Sequence, residues 1–576
     1  MKRWNLDDLY VSFEDYNYQN DLKRLERILD DLKQYPSLMN DEKNLSAYLK
    51  LDNECQDIVE RLFGYTHLVM NANTQDMKAI QYASKLENML ASFADTNTHI
   101  QQWISKFDLS FVHDDYIKEH EFVLKEIQEQ QKYMLSSLEE VAIAKMKTTG
   151  SSSWLKYKDQ LISSMKVVMD NKEYPLTEVL NMAYSKNKDI RKKAYEAEIE
   201  SYKNVEQGIA SALNAIKGEA ITISEMRGYD SILQRTLIDS RMSQKTLDAL
   251  LNTIKKALPM FEKYFQAKAK KLGYTNGLPW YEMYAPVVEV NSEYSYEEGY
   301  QYVIEQFLTF SNDLGNYAKT AIEKEWIDVY PRNGKVGGAF CQNLHCIQQS
   351  RFLLNYGNDF SDVITMGHEL GHGYHGYCLN EQTAFNSDYP MPIAETASTF
   401  CETIIKKAAL QKANKAEKLM ILENELCDCA QVIVDIYSRF LFESRFIEKR
   451  KDGPLSVEDI KELMIEAQKE AYGDGLDHDY LHPYMWTWKP HYYEVDYAFY
   501  NFPYAFGLLL AKGLYGMYQK QGQSFSEIYK YLLSLTGKMS LEDVCQNVGI
   551  DITSEKFWQN SIDMIEEDLT LFYELL

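Results

Sequence analysis

Apolar residues recur at three- and four-residue spacing along most of this chain. In 20–34 (NDLKRLERILDDLKQ), Leu22, Leu25, Ile28, Leu29 and Leu32 fall on one side of a 3.6-residue helix, with charged residues opposite. Stripes of the same period run through 43–63, 77–106, 115–148, 188–224, 243–272, 294–324, 413–449 and 455–471. The pattern predicts a mainly α-helical protein. With only 12 Pro and 26 Gly in 576 residues, little interrupts long helices.

One region breaks the helical rhythm. Residues 326–356 carry turn signals (PRNGK), then GGAFCQNL, then a short run around RFLLNY, which predicts a small sheet. No fixed-period repeat and no low-complexity linker is found. A division near residue 185 separates helical hairpins without candidate ligands from the rest. Seven of the eleven histidines lie between 345 and 491. The expected layout is an N-terminal helical lobe over 1–185 and a chemical domain over 186–576.

The formal net charge of −25 repels phosphate backbones and argues against nucleic acid as a partner. Lys2 and Arg3 are not followed by the apolar core of a secretory signal, and no apolar run approaches the roughly 20 residues that span a bilayer. These features read as a cytoplasmic protein with no membrane partner. The eight cysteines include no CxxC pair, and their expected state is that of buried free thiols.

The candidate chemistry is concentrated in TMGHELGHGYHG, residues 365–376. His368 and His372, four apart, stand one turn above each other on a helix, so both imidazoles can point at one ion. Glu369 is rotated about 100° around the axis and is placed to reach a water held there rather than the ion. Chance would produce HExxH about 0.02 times in such a chain, so an incidental cluster is a poor account of it. Gly371 and Gly373 inside a helix suggest close approach of a neighbouring backbone or of substrate. His375 is either a group contacting substrate or supporting the site, or a packed structural histidine.

Catalytic zinc needs a third protein ligand and an open position. The sequence after His372 lacks the spacing for a third His. In the next helix, PMPIAETASTFCETIIKKAALQK, Glu395 sits among the small residues Ala394, Ala397 and Ser398, which let helices approach. Glu395 is therefore the expected third ligand if the two helices pair antiparallel. Glu402, seven residues on and on the same face, is either a supporting carboxylate or an ordinary salt bridge.

HELGHGYH and IAETAST together resemble the zinc-binding segments of the thimet oligopeptidase and oligoendopeptidase F family of zinc metallopeptidases, closest to the oligoendopeptidase F branch. Residues 174–197, 278–287 and 326–341 are also similar to that family. The resemblance implies a two-lobed helical ellipsoid with a deep central channel, one zinc on its floor, and a small sheet beside it. It implies that Gly337, Gly338, Ala339 and Phe340 lie on a sheet edge that pairs with an extended substrate. It also assigns His491, with Tyr497 and Tyr504, as donors to the oxyanion, Tyr500 being the substrate-contacting rival if the register shifts. The implied activity is zinc-dependent endopeptidase cleavage of short oligopeptides, with Glu369 as general base. A zinc carboxypeptidase of similar build would instead need a cation for the substrate carboxylate, such as Arg351 or Lys489. A peptide-binding protein without activity would not need the intact HELGH and Glu395.

Overall fold

The computed structural model describes residues 2–290 and 293–576. Helices dominate, as the apolar periodicity predicts, and their interiors follow the predicted stripes. Leu22, Leu25, Ile28, Leu29 and Leu32 are all buried on the helix Tyr16–Leu32. Five short strands complete the described structure. β1 (Lys166–Met169) and β2 (Lys172–Pro175) form an antiparallel hairpin. β3 (Ile327–Asp328), β4 (Phe340–Leu344) and β5 (Gln349–Leu353) form a sheet of order β3–β5–β4, with β3 parallel and β4 antiparallel to β5. The second sheet is the one predicted within 326–356, and β4 is one of its edges.

Several predicted stripes are divided. The stripe over 115–148 is three helices, Asp115–Glu119, Glu121–Gln131 and Ser137–Thr149. The stripe over 294–324 is two, Tyr296–Phe310 and Asn312–Glu323. Two of the three breaks fall at serines, the third at His120. Ser136 makes a reciprocal cap with Glu139, and Ser311 adopts extended backbone while its hydroxyl accepts from the N–H groups of Asp313 and Leu314. A side-chain oxygen that satisfies the free N–H groups of a new helix competes with continuation of the old one.

The chain forms two compact units, each discontinuous in sequence. One comprises Met1–Met134, Ser292–Ala408 and Met517–Ile550; the other comprises Leu135–Asn291, Ala409–Gly516 and Asp551–Leu576. A linear division near 185 does not follow these units, because the first 134 residues pack with the segment that holds HELGH. The first unit has a core that runs from Leu22, Leu45 and Leu62 to Leu344 and Leu353 of the sheet. The second has a core built around Ile209, Leu213, Phe442, Ile460, Trp486 and Tyr493. Two buried ion pairs lie in it, Lys217 with Glu443 at 2.6 Å and Lys512 with Glu425. A buried charge left alone would cost several kcal/mol, on the order of 3–5.

Among the described residues no helix is long and apolar enough to cross a membrane. All eight cysteines are free, but only five are buried; Cys341, Cys346 and Cys427 are half-buried.

Candidate active site

The helix Phe360–Cys378 starts at a reciprocal cap. Asp359 accepts from the Ser361 N–H at 2.8 Å, and Asp362 accepts from the Asp359 N–H at 3.0 Å. Phe360, Val363, Met366, Leu370 and Tyr374 bury its apolar face. It runs antiparallel to the helix Met391–Lys412. Gly367 faces Ile405, and Gly371 faces Ala397 and Ser398. A Cβ at Gly371 would lie 2.7 Å from the Ala397 carbonyl oxygen and 2.7 Å from the Ser398 Cα, so no side chain fits between the two backbones. The glycine serves close backbone approach, one of the two uses expected of it. Gly373 leaves room for the side chains of Tyr317 and Phe352. Gly371→Ala is expected to destabilise the protein by about 1–3 kcal/mol, since the obstacle is backbone and cannot rotate away. A lower Tm together with weaker metal retention checks this; an unchanged Tm would show that the helices separate freely.

This pairing brings His368, His372 and Glu395 together. The Nε2 atoms of the two histidines are 3.1 Å apart, and each lies 3.5 Å from Glu395 Oε2. Ligand atoms arranged tetrahedrally at about 2.0–2.2 Å from one zinc ion are themselves about 3.3–3.6 Å apart. Among the described residues these three form the one group of His, Cys, Asp and Glu side chains close enough to share an ion. The tautomers also fit. His368 Nδ1 donates to Glu402 Oε1 at 2.6 Å, and the His372 ring bonds the Ala394 carbonyl. Each Nε2 is thus left facing the other and Glu395, where one cation, or one proton, can sit between them. The donor set therefore suits zinc.

The electrostatics of the cluster show what the cation would replace. Burial opposes the charged form of His368, but Glu402, Glu369 and Glu395 outweigh it and raise its pKa to about 9. Burial and the neighbouring His368 push His372 down to about 4. Two imidazoles this close share one proton between them. Glu402 is itself pushed up by burial and pulled down more strongly by Lys406 and His368, to about 2. Its other oxygen takes Lys406 Nζ at 2.9 Å. Of the two readings open for Glu402, the geometry favours the supporting carboxylate. Glu402→Gln is expected to weaken metal binding about 10–100-fold without unfolding the protein; metal competition against a chelator measures it, and unchanged affinity would reduce Glu402 to a salt bridge with Lys406.

Glu369 is buried beside the triad and lies outside the group of three ligand atoms. His375 is fully buried. Its ring stacks on Tyr389 at 3.9 Å and its Nε2 meets Thr536 Oγ1 at 2.8 Å. That enclosure favours the packing role over substrate contact. The sheet supports the histidine helix directly, since Asn343 Nδ2 on β4 donates to the His372 carbonyl at 3.1 Å. Asn343 gave no signal in the sequence.

Phe340 opens edge strand β4, and Gly337, Gly338 and Ala339 lead into it. Open space surrounds the missing side chains of both glycines, and Gly338 has φ +79°. Asn355 Nδ2 pins this lead-in through the Val336 and Gly338 carbonyls at 3.0 and 2.7 Å.

The second unit contains the remaining candidates as one cluster of rings. His491 stacks on Tyr500 at 5.0 Å and meets Tyr504 edge-on at 6.2 Å; Tyr497 meets Tyr500 at 5.7 Å. Tyr497 shares a hydrogen bond with Ser240 at 3.1 Å. Burial, then Arg439 and Lys489, push His491 down to about 4, so its ring is neutral at ordinary pH. Its Nδ1 is buried without a partner. Arg351, offered above as a cation for a substrate carboxylate, is buried and bonded to the Asn5 and Ser350 carbonyls and to Gln349.

A helical protein with a His–His–Glu triad on paired helices is the class that fold and site define. The chain belongs to peptidase family M3, whose model matches residues 181–564, and it is a peptidase. A second model, described as Oligopeptidase F, matches residues 96–166. The chain is 24% identical over 590 residues to Oligopeptidase PepF of Bacillus subtilis, covering all of this chain and 87% of that protein. It is also 24% identical to an oligoendopeptidase F homologue of Lactococcus lactis, covering 100% and 97%. Its fold is similar to that of a peptidase from Chlamydophila abortus, with TM-score 0.85 at 20% identity over 100% of this chain and 98% of that one. The fold also matches oligoendopeptidase F from Enterococcus faecium, with TM-score 0.69 at 17% identity, covering 97% and 99%.

Proposed function

We propose that this protein is a zinc-dependent endopeptidase of short, unfolded oligopeptides, with the ion held by His368, His372 and Glu395. The observation that carries the reading is the convergence of three ligand atoms within 3.1–3.5 Å, with both ring tautomers set by outside partners. Zinc there would supply Lewis acidity toward the scissile carbonyl and a water whose pKa falls toward about 7.

The chain's own residues do the rest. Glu369 takes the proton of the attacking water and hands it to the departing amine. Glu402 fixes the His368 ring through Nδ1. The backbone of 337–340 pairs with an extended substrate at the β4 edge, and Gly337 and Gly338 let it come close. His491 and Tyr504, with Tyr497 supporting and Tyr500 contacting substrate, are neutral donors for the developing oxyanion. The family resemblance supports that assignment. The class of substrate follows the names of the relatives, which are oligopeptidases and oligoendopeptidases.

An internally quenched peptide of about ten residues, acetylated and amidated at its ends, tests the reading. The expected result is cleavage at an internal bond, abolished by chelation and restored by zinc. Failure to cut any blocked peptide that is cut when unblocked would make the enzyme an exopeptidase.

A further inference from the structure

The other unit has a cavity of its own. A cavity of about 320 Å³ lies between the segments 177–198, 280–284 and 482–489. Its walls are aromatic: Trp280, Tyr281, Tyr284 and Trp488. Its polar groups are unbalanced. Among the described residues the Lys489 ammonium, which lines the cavity, has neither a hydrogen bond nor an ion pair and rests 4.3 Å over the Trp488 ring.

Glu198 on the wall and Glu282 beside it already accept hydrogen bonds. Glu198 Oε1 accepts from Tyr202 at 2.9 Å and from His482 Nε2 at 3.0 Å. Glu282 Oε2 takes Arg191 Nη2 at 2.5 Å. Two hydroxyls on the wall are spent as well, Tyr195 on the Leu481 carbonyl at 2.7 Å and Tyr284 on Gln431 at 2.6 Å. A half-buried ammonium that has given up part of its water for no partner is costly. An ammonium without a partner on aromatic walls calls for an anion carried on an apolar body.

We propose that this cavity binds a carboxylate carried on an aromatic or apolar body, with Lys489 as its counter-ion. Burial and the Arg439 charge hold the Lys489 ammonium down to about 8, and an incoming carboxylate would relieve that penalty. The volume suits one or two amino-acid residues, so the ligand is either the C-terminal residue of a peptide or a free acid of that size. The proposal stands independently of the metal-site reading.

Ligand-detected NMR titration of the full chain with N-acetyl-L-phenylalanine and with N-acetyl-L-phenylalaninamide tests it. The acid should bind at least about tenfold more tightly than the amide, the effect of one charged hydrogen bond. Lys489→Met should lower the acid to the level of the amide, and Lys489→Arg should retain most of its binding. Equal binding of acid and amide to the unaltered protein overturns the proposal even if Lys489→Met fails to fold. So does binding lost in Glu395→Ala but kept in Lys489→Met, which would put the acid at the metal triad. In a Glu369→Gln background, a pentapeptide with free C-terminal phenylalanine that displaces the acid identifies a peptide terminus as the ligand. Acid binding that this peptide does not displace identifies a free acid; either result supports a carboxylate pocket.

Discussion

Glu369→Gln is expected to lower kcat on a quenched peptide by about 10²–10⁴-fold while leaving metal content and Tm at the level of the unaltered protein. The carboxylate is buried, and its position on the helix, one residue past His368, turns it away from the ligand triangle. Burial, opposed by His368 and aided by Glu395 and Glu402, raises its pKa to about 7. A group with a pKa near working pH can both accept and return a proton, whereas a carboxyl of ordinary acidity returns it less readily. It also accepts a hydrogen bond from the Cys341 backbone. Glutamine keeps the shape and can still accept that bond through its amide oxygen, so the helix has no reason to move. What it loses is the proton exchange alone. Elemental analysis separates loss of chemistry from loss of metal, and activity within threefold of the unaltered enzyme would remove Glu369 from the proposed role.

Much of this site was legible because its geometry is local. Histidines four apart on a helix must share a face, and that needs no tertiary information. Glu395 was legible at one remove, since Ala394, Ala397 and Ser398 announced a close helix pair, and the absent Cβ of Gly371 is what the Ala397–Ser398 backbone occupies. The hairpin of β1 and β2 escaped notice although Asp170 and Asn171 stand at its turn with φ of +50° and +62°. An Asp-Asn pair in left-handed backbone is the signal of a tight two-residue turn, and it was open to reading. Other features had no local signature. Ser136 and Ser311 look like ordinary polar positions in a helical stripe until their caps are seen. The fate of His375 depends on Tyr389 and Thr536, the latter 161 residues away. The two interleaved units depend on which distant segments pack together, and spacing along the chain carries no trace of that.

Glu395→Ala is expected to weaken metal binding by more than the roughly 10–100-fold assigned to a supporting group such as Glu402, and to abolish peptide hydrolysis with it. Two imidazoles alone would remain, their Nε2 atoms 3.1 Å apart. With His368 raised to about 9 and His372 lowered to about 4, that pair holds one proton at neutral pH. A cation must displace it, so uptake by the unaltered protein should release about one proton at pH 7, and affinity should fall as pH is lowered. Glu395 supplies the negative charge that makes the exchange favourable. Its loss leaves the helix intact, because Ser398 Oγ keeps its bond to the carbonyl of residue 395 at 2.9 Å and gives up only the one to Oε2 at 3.1 Å. Stability should therefore change by no more than about 1 kcal/mol. Competition dialysis against a chelator, with proton release followed in weakly buffered solution, gives both quantities. Metal affinity equal to that of the unaltered protein would break the triad and, with it, the assignment of the helix pair as the catalytic centre.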